Sequence, residues 1–232
     1  MKGILLVDKP SGKTSFDLVQ AARRVFKERC IGHAGTLDPL ATGLLVLLIG
    51  REFTKLSDSF LGQDKAYQTT VVFGSATTTY DQEGSVTEES SHIPTLEDVQ
   101  LAISAFQGTI WQEPPMFSAK KVGGKKLCDL ARKGITIERK PCQVTVAITL
   151  LNYAYPLLEL EISCSKGTYI RSLGHDIGKR LGCFGHLKAL RRTKSGNHHV
   201  AEALDGSLLF KPDFSENDLK RSSFCDMIPI NL

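Results

Sequence analysis

Apolar positions along the chain fall into short blocks whose spacing changes from one block to the next. Ile4 to Val7 is an unbroken apolar run of strand length, closed by the turn residues Asp8 to Lys13 with Pro10 and Gly12. Thr14 or Ser15 can cap a helix reaching about Lys27, on which Phe16, Val19, Ala22, Val25 and Phe26 recur near the 3.6-residue period. A glycine-rich loop follows, with a short helical turn expected at Ala41 to Leu45 and a strand at Leu45 to Ile49. Phe53 to Phe60 reads as helix, and the β-branched alternation of Ala66 to Phe73 predicts a strand.

Residues 75 to 94 are polar, acidic and rich in turn formers. Thr95 starts a helix to about Phe106, with Glu97 and Asp98 in the first turn, where the helix dipole favours acids. Pro114-Pro115 keeps Trp111 to Ser118 extended or turning, and residues 119 to 140 form a basic insertion. Cys142 to Tyr153 and Leu157 to Ser165 read as two strands around a turn at Tyr155-Pro156. Lys166-Gly167-Thr168 leads into a helix that Thr168 can cap, with the stripe Ile170, Leu173, Ile177 and Leu181 and a stop at Gly182. His186 to Arg192 and His199 to Leu204 are further strand candidates, and Asp205 to Leu232 is polar with a weak pattern. Helices and strands interleave without a regular βαβ period, so the expected class is α+β with a mixed or antiparallel sheet.

At 232 residues the chain can bury one real core, with room for a small appendage. It lacks any apolar stretch of about 18 residues, so no membrane-spanning helix is expected. Its start reaches Asp8 too early for a signal peptide, which favours the cytoplasm. The six cysteines, Cys30, Cys128, Cys142, Cys164, Cys183 and Cys225, include no C-x-x-C pair, so free thiols are expected rather than three disulfides. The histidines show no metal-ligand spacing, and no metal site is expected.

Net charge is only +4 but unevenly spread. Lys120, Lys121, Lys125, Lys126, Arg132, Lys133, Arg139 and Lys140 crowd one segment, and Lys188, Arg191, Arg192 and Lys194 another. Asp81, Glu83, Glu88, Glu89, Glu97 and Asp98 form an acidic stretch between them and the N-terminal region. Two basic clusters suit a polyanion such as nucleic acid, and equally a solvated surface.

Ser11-Gly12-Lys13-Thr14 imitates a phosphate loop, but Val7 stands where that pattern needs its first glycine. Asp38 lies in the run Gly32-His33-Ala34-Gly35-Thr36-Leu37-Asp38-Pro39-Leu40-Ala41-Thr42-Gly43-Leu44. It can cap a following turn, form half of an ion pair, or act as a nucleophile or base. Tyr67 is either a half-buried strand aromatic or a face on which a base stacks. Arg171 falls in a first helical turn, a poor place for a cation unless an anion meets it; the anion is either a structural partner or a catalytic carboxylate.

Five separated motifs occur here in one order: Asp8-Lys9-Pro10-x-Gly12-x-Thr14-Ser15, the Gly32 to Leu44 run, Lys65-x-Tyr67, Pro114-Pro115-Met116-x-Ser118-Ala119-x-Lys121, and Cys164 to Arg171. Through them the chain resembles the bacterial tRNA pseudouridine-55 synthases over about residues 1 to 200. The resemblance implies an α+β pseudouridine synthase fold whose central mixed sheet carries an RNA cleft. It implies action on a uridine in the T loop of transfer RNA, without cofactor or metal, and implies no protein partner; a monomer is the default expectation. By position it makes Asp38 the nucleophile, Arg171 its partner, and Tyr67 a contact to the flipped uracil. Tyr169 and Leu190 line the base pocket, His33 supports the extruded nucleotide, and Lys65 lies near the site. Residues 117 to 140 match a mobile thumb whose Lys120 and Lys121 meet phosphates.

On this reading residues 1 to 204 are the catalytic domain. Residues 205 to 232 are a short tail, truncated relative to the RNA-binding module of longer members. Two alternatives stand beside it: a non-catalytic tRNA-binding or folding protein on the same scaffold, and a synthase acting on another RNA.

Overall fold

The computed structural model describes residues 2–221. The first elements are β1 (Gly3–Lys9), α1 (Ser15–Phe26), β2 (Ile31–Ala34), β3 (Thr42–Ile49), α2 (Arg51–Thr54), α3 (Ser57–Leu61) and β4 (Lys65–Phe73). A small hairpin, β5 (Ser75–Thr77) and β6 (Val86–Glu89), precedes α4 (Leu96–Ser104) and β7 (Gly108–Gln112). The basic insertion holds β8 (Lys121–Val122), β9 (Lys125–Lys126) and α5 (Leu127–Ala131). Then come β10 (Cys142–Ala154), β11 (Leu157–Cys164), α6 (Ile170–Arg180), β12 (Gly185–Ser195), β13 (His198–His199), β14 (Leu204–Asp205) and α7 (Glu216–Arg221). The class is α+β with mixed strand pairing, as the sequence predicts. The chain forms two compact units, residues 1–67 with 190 onward, and residues 68–189.

In the first unit β3 is the central strand. It runs antiparallel to β1 and β2 and parallel to the end of β12, through Arg191↔Thr42 and Arg192↔Gly43. Leu44 to Ile49 are all fully buried, which explains a run with no polar alternation. The helical turn expected at Ala41 to Leu45 is instead the start of this strand. Gly43 has φ +97°, and a Cβ there would stand 2.3 Å from the Arg192 carbonyl, so glycine admits the parallel neighbour.

Of the two expected caps Thr14 is the one used, and helix α1 opens on a capping box, the Thr14 hydroxyl accepting from Asp17 N–H and the Asp17 carboxylate from Thr14 N–H. Its buried face is Leu18, Val19, Ala22, Val25 and Phe26; Phe16, expected in the stripe, is exposed beside Arg23. The strand expected at His199 to Leu204 is a 3-10 turn at Val200–Glu202 before the two-residue β14, which pairs parallel with β1. The polar segment after Asp205 is not wholly a surface tail. Gly206–Phe210 form a 3-10 turn, Leu209 is fully buried, and Arg24 donates to the carbonyls of Leu209 (2.6 Å) and Lys211 (3.3 Å).

In the second unit β10 and β11 form the hairpin anticipated around Tyr155-Pro156, and β7 adds to β10. Helices α4 and α6 pack together, burying Val99, Ala102 and Ile103 on one and Ile170, Leu173 and Ile177 on the other. Thr95 caps α4 as expected. Tyr169, not Thr168, is the N-cap of α6; the Thr168 hydroxyl donates back to the Ser165 carbonyl. Cys30, Cys128, Cys142, Cys164 and Cys183 are free thiols, and Cys225 lies outside the described residues.

Asp176 on α6 is half-buried, and that burial pushes its carboxyl from 3.8 up to about 6, with Lys179 opposing and Glu113 adding to the rise. The folded state therefore holds this proton more tightly than the unfolded chain, so stability is lost as pH rises from about 4 past about 6. Asp176→Asn is expected to raise the melting temperature at about pH 7.5, the gain vanishing toward about pH 4. Thermal denaturation across that range checks it.

Candidate active site

Asp38 sits half-buried on the loop between β2 and β3, and Gly35, Leu37, Pro39 and Leu40 of that loop are bonded to other segments. The Ser15 hydroxyl accepts from Leu37 N–H (2.8 Å) and donates to the Leu37 carbonyl (3.1 Å). The Pro39 carbonyl accepts from Gly12 N–H (2.9 Å) and from Lys9 Nζ (3.2 Å). Ser11 Oγ donates to the Leu40 carbonyl at 3.3 Å, and Ala41 N–H donates to the Asp38 carbonyl itself.

Lys9 is fully buried, and its ammonium also donates to the carbonyls of Pro10 (2.9 Å) and Lys13 (2.5 Å). Arg192, 1% exposed, donates from Nε to the Leu44 carbonyl within β3 (2.7 Å) and from Nη2 to the Gly35 carbonyl at the start of the loop (3.0 Å). Two buried cations thus hold the loop by its carbonyl dipoles, an arrangement that satisfies their protons away from water. Asp8, beside Lys9, receives both guanidinium prongs of Arg191 at 3.0 and 2.6 Å.

The first unit also contains the expected site residues His33, Lys65, Tyr67 and Leu190. His33 is half-buried, and burial, with the neighbouring Arg192, lowers its pKa below the ordinary 6.5, so the ring is neutral at neutral pH. Tyr67 and Leu190 are each 8% exposed. Lys65 turns inward and donates to the carbonyls of Leu61 (2.9 Å) and Gln63 (2.5 Å), tying the end of α3 to β4. The Arg191↔Thr42 register sets Leu190 alongside the end of the Asp38 loop.

The second unit contains Arg171, Tyr169, Lys120 and Lys121. Arg171 is 6% exposed and donates to the carbonyls of Thr79 (2.8 Å) and Phe117 (2.7 Å). Its guanidinium lies 3.5 Å from the carboxylate of Asp81, itself 3% exposed. The other Asp81 oxygen accepts from the Thr79 hydroxyl (2.5 Å) and Glu83 N–H (3.0 Å), which aims the carboxylate at the arginine.

Sequence reasoning missed Asp81, because it opens an acidic run that reads as solvated; the threonines at 77 and 79 were the only local signal. Tyr169 is half-buried at the start of α6, Lys121 is exposed, and Lys120 Nζ stands 2.8 Å from Cys142 Sγ. The basic clusters are thinner than their composition suggests. Arg191, Arg192, Arg139 and Arg132 are held by Asp8, backbone carbonyls, Glu113 and Asp129 respectively. Lys121, Lys125, Lys126, Lys133, Lys140 and Lys188 remain exposed.

Solved structures share this α+β scaffold. Cbf5 in the Cbf5-Nop10-Gar1 complex superposes with a TM-score of 0.69 at 25% identity, covering 88% of this chain and 52% of that one. The chain therefore spans about half the length of that structural relative. A family model described as the TruB family pseudouridylate synthase N-terminal domain matches residues 23–170, and the tRNA pseudouridylate synthase B C-terminal domain matches 171–207. The chain belongs to the TruB family of pseudouridylate synthases. It is 54% identical over 213 residues to the tRNA pseudouridine synthase B of Chlamydia pneumoniae, covering 92% of this chain and 91% of that protein. The protein of the same name from Clostridium kluyveri is 44% identical over 205 residues, covering 88% and 71%.

Arg192→Lys keeps the buried charge but cannot bridge Gly35 and Leu44 with a planar fork. It is expected to cost about 1–3 kcal/mol of stability through the carbonyl left unpaired, measured by urea denaturation.

Proposed function

We propose that this protein isomerises uridine to pseudouridine at position 55 in the T loop of transfer RNA, as a monomer in the cytoplasm. The observation that carries the reading is the 54% identity with the Chlamydia pneumoniae tRNA pseudouridine synthase B across 92% of this chain. The braced Asp38 loop supports it, because the reaction asks for one carboxylate held still. Residues 1 to 204 form the catalytic domain, residues 117 to 140 its thumb, and the segment from 205 an accessory tail.

The isomerisation breaks the N1–C1′ bond, turns the free uracil and rejoins it through C5, so its atoms balance without a co-substrate. The target base must first leave the stack of its loop, at about a few kcal/mol. Departure of the base gives the sugar cation character, as in glycoside hydrolysis. The ionised Asp38 faces that charge and acts on the ribose, at C1′ or through the C2′ proton.

Arg171 keeps Asp38 ionised and oriented; Tyr67, Tyr169 and Leu190 hold the detached uracil. His33 steadies the extruded nucleotide from its neutral ring, and Lys65 holds the start of β4 beneath Tyr67. Lys120 and Lys121 in the thumb meet phosphates, so binding weakens as salt rises.

Asp38→Asn is expected to retain tRNA binding and to abolish tritium release from C5-labelled uridine in tRNA. Arg171→Lys is expected to lose most of the turnover, because one ammonium cannot replace the fork. Tritium release by the Asp38→Asn variant near the wild-type rate contradicts the assignment. Binding by the wild-type chain with no release identifies a folding protein instead, and mapping the product to another nucleotide identifies a different target.

A further inference from the structure

Gln112 closes β7 with its side chain turned inward and only 2% exposed, although its neighbour Trp111 is 72% exposed. The buried amide has one backbone partner residue, Tyr169. Gln112 Oε1 accepts from Tyr169 N–H at 2.7 Å, and Gln112 Nε2 donates to the Tyr169 carbonyl at 3.0 Å. This is a strand-like pair made by a side chain, and it fixes both peptide planes of one residue. That residue is the N-cap of α6, and its own side chain makes no cap hydrogen bond, so the glutamine fixes the backbone at the point where the helix begins.

The next residues are held by the same segment. Ser172 Oγ donates to the Glu113 carbonyl (3.2 Å), and Arg171 donates to the Phe117 carbonyl (2.7 Å). The backbone of Gln112 is in turn anchored in the sheet opposite Cys142 on β10. The pair therefore references Tyr169 and the first turn of α6 to the sheet rather than to the loop before the helix, where Gly167 at φ +81° offers little resistance.

We propose that Gln112 is a positioning residue for pseudouridine formation: it sets Tyr169 and, within the first turn of α6, Arg171 at the orientation the reaction requires. The inference rests on the function proposed above, in which Tyr169 lines the base pocket. Gln112 touches no reacting atom, so its loss slows the step in which the detached base is held and turned, and leaves the encounter with tRNA unchanged.

The same unit contains a built-in comparison. Gln107 makes the same two-bond pair with Ile148 on β10, donating to its carbonyl at 2.6 Å and accepting from its N–H at 2.9 Å, without touching α6. Gln112→Met and Gln107→Met each remove one such pair at similar side-chain volume.

With enzyme in excess over labelled tRNA, the single-turnover rate constant does not depend on the folded fraction. Gln112→Met is expected to lower it at least tenfold with tRNA affinity within threefold of wild type, while Gln107→Met leaves the rate within threefold. Hydrogen exchange provides a readout besides activity: Gln112→Met should lose protection at Tyr169 and the first turn of α6, and Gln107→Met at Ile148. A Gln112→Met rate within threefold of wild type overturns the inference, as does an equal slowing by Gln107→Met or a loss confined to tRNA affinity. An inactive wild-type chain would instead refute the function on which the inference rests, and would be recognised by that alone.

Discussion

Two cations taken out of water, Lys9 and Arg192, meet backbone carbonyls on and around the loop that carries Asp38. Burying an ammonium or a guanidinium costs several kcal/mol unless its protons are matched. Here the acceptors include peptide dipoles of Pro10, Lys13, Pro39, Gly35 and Leu44, so each cation ties one carbonyl of the loop, Pro39 or Gly35, to groups outside it. Relaxation of the loop would break both ties. Under the proposed function, which places this acid against a sugar, such fixing matters, because misplacement by about 1 Å can cost a hundredfold in rate.

Arg171 meets the same physical problem in the second unit. A cation in the first turn of a helix faces the positive end of the backbone dipole. The carbonyls of Thr79 and Phe117 and the carboxylate of Asp81 offset it, and Thr79 and Glu83 in turn orient Asp81. The guanidinium is thereby held in plane and direction by partners within its own unit.

Charge that is consumed inside the fold is unavailable to a partner. Arg191 with Asp8 and Arg139 with Glu113 show how part of the basic composition is spoken for, whereas the Arg132–Asp129 pair lies on the surface. The lysines of residues 121 to 140 and Lys188 remain exposed, and flexible point charges of this kind suit backbone contact rather than base reading.

The short-range features of the sequence carried through. The capping boxes at Thr14 and Thr95, the turn at Tyr155-Pro156, the buried run Leu44 to Ile49 and the motif around Asp38 were all legible, because each depends on residues within a few positions of one another. The start of β3, the inward turn of Lys65, the burial of Asp81 and the packing of Leu209 were not. Only the tertiary structure decided these, since the groups that settle them are distant in the chain: Arg192 meets Gly35 across 157 residues and Arg171 meets Thr79 across 92. Periodicity and capping report the local preference of a segment. Which carbonyl a buried cation finds is decided by the fold, because desolvation penalises any cation that finds none.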